Sequence, residues 1–158
     1  MNNFGYIANN VEHKTDNTKE CIDKYLLKSF AKYSQPTESE ATEIIKTLSK
    51  SKFSFSTKLS RINILERLIE GIQKQRIELI KVLVMETGKI VSLAENEIKR
   101  SLDTLKFCIA AIKQSDGELV PILDHNEPLS YWQYKALGLS LLITPFNFPV
   151  NLLMHKIG

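Results

Sequence analysis

The stretch that most restricts the fold is Leu139-Ser140-Leu141-Leu142-Ile143-Thr144, followed at once by Pro145-Phe146-Asn147-Phe148-Pro149. An apolar run this short and unbroken is the pattern of a strand covered on both faces, as in a parallel sheet. Pro149 suits the first turn of the helix that opens in VNLLMHKIG. Strand, loop and helix in that order are the repeating unit of an open α/β sheet, where ligands sit at the carboxyl ends of the strands. One such strand is not a sheet, because its backbone donors and acceptors need neighbouring strands. The chain is therefore expected to be an incomplete folding unit.

Upstream of this unit the pattern is helical. Ile22, Tyr25, Leu26, Phe30 and Tyr33 recur at helical spacing and predict a first helix, ended by Pro36. Thr37 and Glu40 have the spacing of a capping box and predict the start of a second, with Ala41, Ile44, Ile45 and Leu48 on its buried side. Residues 51–57 read as a connection. Ile62, Leu65, Leu68, Ile69, Ile72, Ile80 and Leu83 then predict one long helix, stopped at Glu86-Thr87-Gly88-Lys89. Gly88 stands where a residue of positive φ often follows a helix end, and Lys89 reads as a surface charge beside it. Val91, Ala94, Ile98, Leu102, Leu105, Ile109 and Ile112 mark the next helix, with Glu95, Lys99, Arg100, Asp103 and Lys106 opposite, and Asp116-Gly117 breaks it. LVPILD, HNEPLS and YWQYKA read as strand, turn and strand, a hairpin in which Trp132 and Tyr134 alternate with Tyr131, Gln133 and Lys135.

Several function classes are excluded at this point. Hydrophobic residues are 43% of the 158, enough for a packed core and too many for a disordered chain. The net charge of +3 is small, and its densest basic stretch, 46–61, carries neither an RNA-binding aromatic pattern nor zinc-finger spacing, so no nucleic-acid partner is expected. Cys21 and Cys108, both placed in helices, form no C-x-x-C pair, and His13 and His125 sit in polar segments, so no metal site is expected. The opening residues have no apolar run of a secretory signal, and 137–143 is far shorter than the ~20 residues a membrane span requires. A cytoplasmic protein without membrane contact is the expectation. On residues alone Asn147 reads as a helix cap, His155 as a packing or surface residue, and Glu118 as the start of the hairpin and no general base.

The segment LGLSLLITPFNFPVNLLMHKIG resembles the aldehyde dehydrogenase superfamily, whose members carry a strand, a Pro-aromatic-Asn-aromatic-Pro loop and a helix. RINILERLIEGIQKQRIELIKVLVMETGK is similar to the family's long helix ending in E-T-G-K, and the helix over 91–113, Asp116-Gly117-Glu118 and YWQYKALG keep its order. The resemblance covers about 38–158. Ala136 departs from it, standing where many members have proline before the glycine.

The resemblance implies oxidation of an aldehyde to a carboxylic acid with NAD or NADP. In the family a cysteine thiolate adds to the aldehyde carbon, and the resulting oxyanion is held by an asparagine amide. Asn147 matches that asparagine, and Ile143, Thr144, Pro145 and Phe146 match positions lining the cofactor cleft. The family's ribose-contacting lysine, general-base glutamate and nucleophilic cysteine follow later in its chains and have no counterpart among these residues; neither Cys21 nor Cys108 matches the nucleophile motif. These residues alone are expected to be an inactive fragment. The competing reading is a non-catalytic truncated subunit that associates with a full-length relative, which co-purification with a larger aldehyde dehydrogenase distinguishes.

The fold class expected is α/β: the helical amino-terminal part of an aldehyde-dehydrogenase-like fold, a β-hairpin and the first strand-loop-helix of a Rossmann-like nucleotide-binding domain, incomplete. Its divisions are an amino-terminal segment (1–37), a helical part of the cofactor-binding domain (38–118), an oligomerisation-type β-hairpin (119–137) and a truncated nucleotide-binding unit (138–158). The partners expected are an aldehyde substrate and, in the complete protein, further copies of itself in a homo-oligomer.

Overall fold

A computed structural model describes residues 2–50, 57–114, 116–121 and 129–158. The amino-terminal segment is built of strands: β1 (Asn2–Phe4), β2 (Tyr6–Ala8), β3 (Val11–His13), β4 (Thr18–Ile22) and β5 (Ser29–Ser34). β5 is central in its sheet, parallel to β1 and antiparallel to β4, while β2 and β3 make a separate antiparallel hairpin. Asn9 and Asn10 turn that hairpin at φ of 51° and 62°, the left-handed pair that a tight right-twisted hairpin demands and asparagine tolerates.

The helix expected over Ile22–Tyr33 does not form. Asp23 Oδ1 accepts the N–H groups of Tyr25 and Leu26 at 2.8 and 2.9 Å, and Leu27 follows at φ 53°. This side-chain-to-backbone turn offers the local N–H groups an alternative to a helix. Cys21 consequently lies on a strand.

The helices are α1 (Glu38–Lys50), α2 (Lys58–Lys74), α3 (Arg76–Thr87), α4 (Val91–Ile112) and α5 (Pro149–Ile157). α1 begins with the expected capping box: Thr37 N–H donates to Glu40 Oε2 at 2.7 Å and Glu40 N–H to Thr37 Oγ1 at 3.3 Å. None of its residues is fully buried, and Ile45 is exposed. The long third helix is instead two, broken at Gln75 with φ −101° and ψ 12°. No proline or glycine stands there; the break lets each leg lie along α4, which both pack against. Gly88 caps α3 in the left-handed conformation at φ 73°, its N–H donating to Val84 O.

The core lies where α2, α3 and α5 meet α4. Leu65, Ile72, Ile80, Leu83, Ala94, Ile98, Leu105 and Met154 fill it. The amino-terminal sheet is stitched to this bundle at the end of α3: Lys24 N–H donates to Met85 O at 3.0 Å and the Tyr25 hydroxyl to Gly88 O at 2.8 Å.

The expected hairpin is present as β6 (Gly117–Leu119) and β7 (Tyr131–Gln133), antiparallel with Glu118 opposite Trp132. Its strands are shorter than the pattern suggested. The connection at 51–56, residues 122–124 of the first expected strand, and the turn at 125–128 with His125 fall outside the described residues.

The buried strand over 139–144 is not observed. The run pairs with no strand among the described residues, and Leu137, Leu141 and Ile143 are 96%, 86% and 72% exposed. A strand exists only through hydrogen bonds to its neighbours, and no described strand lies beside this one.

Candidate functional site at the proline-bounded loop

Pro145 through Pro149 connect the apolar run to α5, and the loop is held from outside itself. Asn147 is exposed; its Oδ1 accepts the Phe148 N–H at 3.1 Å. With Oδ1 so engaged, the end of the carboxamide that donates hydrogen bonds is Nδ2, which carries two N–H groups. The N-cap of α5 is Phe148, without a side-chain bond, and Asn147 does not cap the helix. The cap reading of Asn147 is thus set aside by the geometry.

The groups that close the α5 N-terminus come from α4. Glu97 Oε1 accepts the N–H of Val150 at 2.9 Å and of Asn151 at 3.2 Å. Its Oε2 is paired with Lys89 Nζ, and Lys89 also donates to the Asn147 carbonyl at 2.8 Å. The same ammonium lies 4.7 Å from the centroid of the Phe148 ring. The side chains of Lys89 and Glu97 are 11% and 0% exposed. Lys89 is therefore no surface charge, which corrects the reading made of it from the pattern. Gly88 places it: the left-handed cap turns the chain out of α3, and Lys89 N–H meets Thr87 Oγ1 at 3.4 Å.

Glu97 went unnoticed in the sequence, although a signal was there. It occupies the apolar stripe of α4 between Ala94 and Ile98, on the face continued by Ser101 and Leu105, all of them buried. A carboxylate at such a position needs partners, because an unpaired buried charge is very costly. Further along α4, Thr104 Oγ1 donates to the buried Asn151 Oδ1 at 3.2 Å and lies 3.3 Å from Nε2 of the exposed His155.

Of the other residues expected at the site, Ile143, Pro145 and Phe146 are exposed and Thr144 is half-buried. Phe146 and Pro149 form one side of a cavity of about 280 Å³ whose other walls include Cys21, Lys24, Tyr33 and Glu86. The fit to a dinucleotide is that of one wall. Residues 143–146 present apolar surface, but the first N–H groups of α5, where an open helix end would take a phosphate, are filled by Glu97. Among the described residues no group of three or more His, Cys, Asp and Glu could hold a metal ion, and no helix is long and apolar enough to cross a membrane.

The sequence profile described as the Aldehyde dehydrogenase family matches residues 11–158. The chain is 33% identical over 141 residues to a lactaldehyde dehydrogenase of Methanocaldococcus jannaschii, covering 88% of this chain and 30% of that protein. It is 36% identical over 101 residues to aspartate-semialdehyde dehydrogenase 1 of Pseudomonas canavaninivorans, covering 62% of this chain and 22% of the relative. Among solved structures, a glyceraldehyde-3-phosphate dehydrogenase of Methanocaldococcus jannaschii complexed with NADP superposes with a TM-score of 0.79 at 32% identity, over 87% of this chain and 30% of that one. An aldehyde dehydrogenase of Physcomitrella patens in complex with the reaction product succinate superposes with a TM-score of 0.90 at 21% identity, over 99% of this chain and 34% of that one. The second likeness speaks for the fold alone. The chain spans about a third or less of the length of these relatives.

Proposed function

The chain belongs to the aldehyde dehydrogenase family, and on that premise we propose that it contributes the amino-terminal part of an enzyme that oxidises an aldehyde to a carboxylic acid with NAD or NADP. The observation that carries this reading is Asn147. Its carboxamide stands on an exposed loop bounded by Pro145 and Pro149, with Oδ1 bonded to Phe148 N–H and the main-chain carbonyl fixed by Lys89. A neutral amide donor held in place before the reaction is what a developing oxyanion requires. When a cysteine thiolate adds to the aldehyde carbon, the carbonyl oxygen gains the charge and Asn147 Nδ2–H donates to it. A bound nicotinamide supplies the hydride acceptor, and water then releases the acid from the thioester. Ile143, Thr144, Pro145 and Phe146 contribute one apolar wall of the cofactor cleft; the pyrophosphate is held elsewhere, because α5 is closed by Glu97.

The thiolate and the general base do not come from residues 1–158. Cys21 lies at a strand and Cys108 on α4, neither of them on the Asn147 loop. The 158 residues alone are therefore proposed to be inactive. The β6–β7 hairpin, with Tyr131, Trp132 and Tyr134 all exposed, is the surface proposed for association with further copies in a cytoplasmic oligomer. Such aromatic groups are enriched at subunit interfaces.

The test is Asn147→Ala in the natural protein that carries this chain, assayed against a panel of aldehydes that includes lactaldehyde, with NAD and with NADP. Loss of one such donor lowers kcat by about 10²–10³, with little change in melting temperature because the side chain is exposed. An unchanged kcat rules the oxyanion role out.

A further inference from the structure

We propose that Lys89 and Glu97 are positioning residues that set where the Asn147 amide stands; this rests on the oxyanion reading of Asn147. One ammonium–carboxylate pair grips the loop on both sides of Pro149. On the amino-terminal side Lys89 Nζ donates to the Asn147 carbonyl at 2.8 Å and lies 4.7 Å from the Phe148 ring centroid. On the carboxyl-terminal side Glu97 Oε1 takes the N–H groups of Val150 and Asn151 at 2.9 and 3.2 Å. The two halves are joined by the Lys89–Glu97 ion pair itself. Proline has no N–H to donate, so a loop bounded by Pro145 and Pro149 has fewer backbone groups with which to fix itself, and the grip is supplied from α4 and from the cap of α3.

Stability alone does not account for the pair. Burying two charges costs solvation that their attraction barely recovers, and apolar side chains of similar size serve a core as well or better. What the pair adds is geometry. Its ammonium reaches a single main-chain oxygen, and that oxygen belongs to the residue whose side chain is proposed to meet the oxyanion. Both charges also sit on rigid supports, Glu97 within α4 and Lys89 directly after the left-handed Gly88. The E-T-G-K stretch thereby acquires a role beyond ending a helix: it delivers a lysine to the loop from 58 residues upstream of Asn147.

The experiment uses the natural protein carrying this chain, with Lys89→Met, the charge-neutral pair Lys89→Met/Glu97→Gln, and Asn147→Ala alone and combined with each. Glutamine keeps an oxygen for the Val150 and Asn151 N–H groups, so the double variant retains the cap of α5 and loses the tie to Asn147, which guards against a variant that merely unfolds. The first readout is hydrogen–deuterium exchange of the peptide spanning 145–151, which needs neither cofactor nor turnover. Loss of protection there with α4 unchanged is expected; unchanged exchange in both variants overturns the proposal. The second is kinetics. Displacing a reacting group by ~1 Å costs on the order of 10²-fold in rate, so kcat falls by that order while KM for the cofactor holds. In the Asn147→Ala background the same substitutions change kcat by less than about twofold, the margin within which independent effects add. A full additional loss in that background overturns the positioning role while leaving the oxyanion reading intact. An Asn147→Ala protein as active as the parent overturns both, and is told apart by that single variant.

Discussion

Cys21 is the penultimate residue of β4, its thiol 3.5 Å from Glu86 Oε1. Burial pushes its pKa up from the ordinary thiol value, and the neighbouring Glu86 carboxylate adds to the rise. A nucleophilic cysteine needs the opposite, a stabilised thiolate, so the environment agrees with withholding a catalytic role from it. The expected outcome is that alkylation of Cys21 by iodoacetamide, followed by peptide mass, has its pH midpoint higher in the folded protein than in urea; a lower midpoint would contradict the structure. Gly88 is the residue best foretold by pattern, because a positive φ at a helix end is a local demand that glycine meets without steric cost. Lys89 is the opposite case. Nothing in its local sequence distinguishes a solvated lysine from one paired with Glu97 on the next helix.

At the scale of elements, local chemistry was readable where it closed within a few residues. The Thr37–Glu40 capping box is such a case. The Thr37 N–H, and then its hydroxyl, hold the Glu40 carboxyl below its ordinary 4.5. A lowered folded value means that the box stabilises α1 above the ordinary glutamate range and is lost as pH falls through the lowered value. NMR titration is expected to place the Glu40 midpoint below 4.5. Thr37→Ala recovers only part of the shift, because the backbone donor remains. A midpoint at or above 4.5 removes the box as the cause. The amino-terminal strands were misread because Ile22, Tyr25, Leu26, Phe30 and Tyr33 satisfy helical spacing by coincidence. The contrary signals were Asn9-Asn10 and the Asp23 turn. The split of α2 from α3 left no local mark at all: Gln75 sits at the cap of both helices, but glutamine is neither a helix breaker nor a favoured capping residue, and its side chain makes no cap bond to α3.

The whole molecule exposes 12336 Å², whereas a compact monomeric protein of 18.0 kDa exposes about 8,000 Å². Part of that surface is an apolar run along the chain, from Leu137 through Leu139, Leu141 and Ile143 to Phe146. Surface of that kind is normally covered, and in an aldehyde dehydrogenase the proposed cover is the remainder of the nucleotide-binding sheet. Residues 1–158 produced alone are expected to bind a hydrophobic dye such as ANS, to melt over a broad range and to show no NAD(P)-dependent aldehyde oxidation. A sharp cooperative transition without dye binding contradicts the reading of an unfinished sheet, and measurable turnover contradicts the inactivity proposed for these residues.

By itself the sequence determined the family, the apolar stripes now divided among α2, α3 and α4, the start of α5, the caps at Thr37 and Gly88, the hairpin and the identity of the loop. Each depends on residues close together in the chain or on a motif spelled in order. Only the tertiary structure decided that 18–22 and 29–34 pair as strands, that one apolar stripe bends at Gln75, and that 139–144 pairs with no strand among the described residues. It alone also joined Lys89 to Asn147 across 58 residues and Glu97 to Val150 and Asn151. Strand pairing and buried ion pairs are made by groups distant in sequence, and their energies depend on which neighbours arrive and how much water they displace. A linear pattern carries neither quantity.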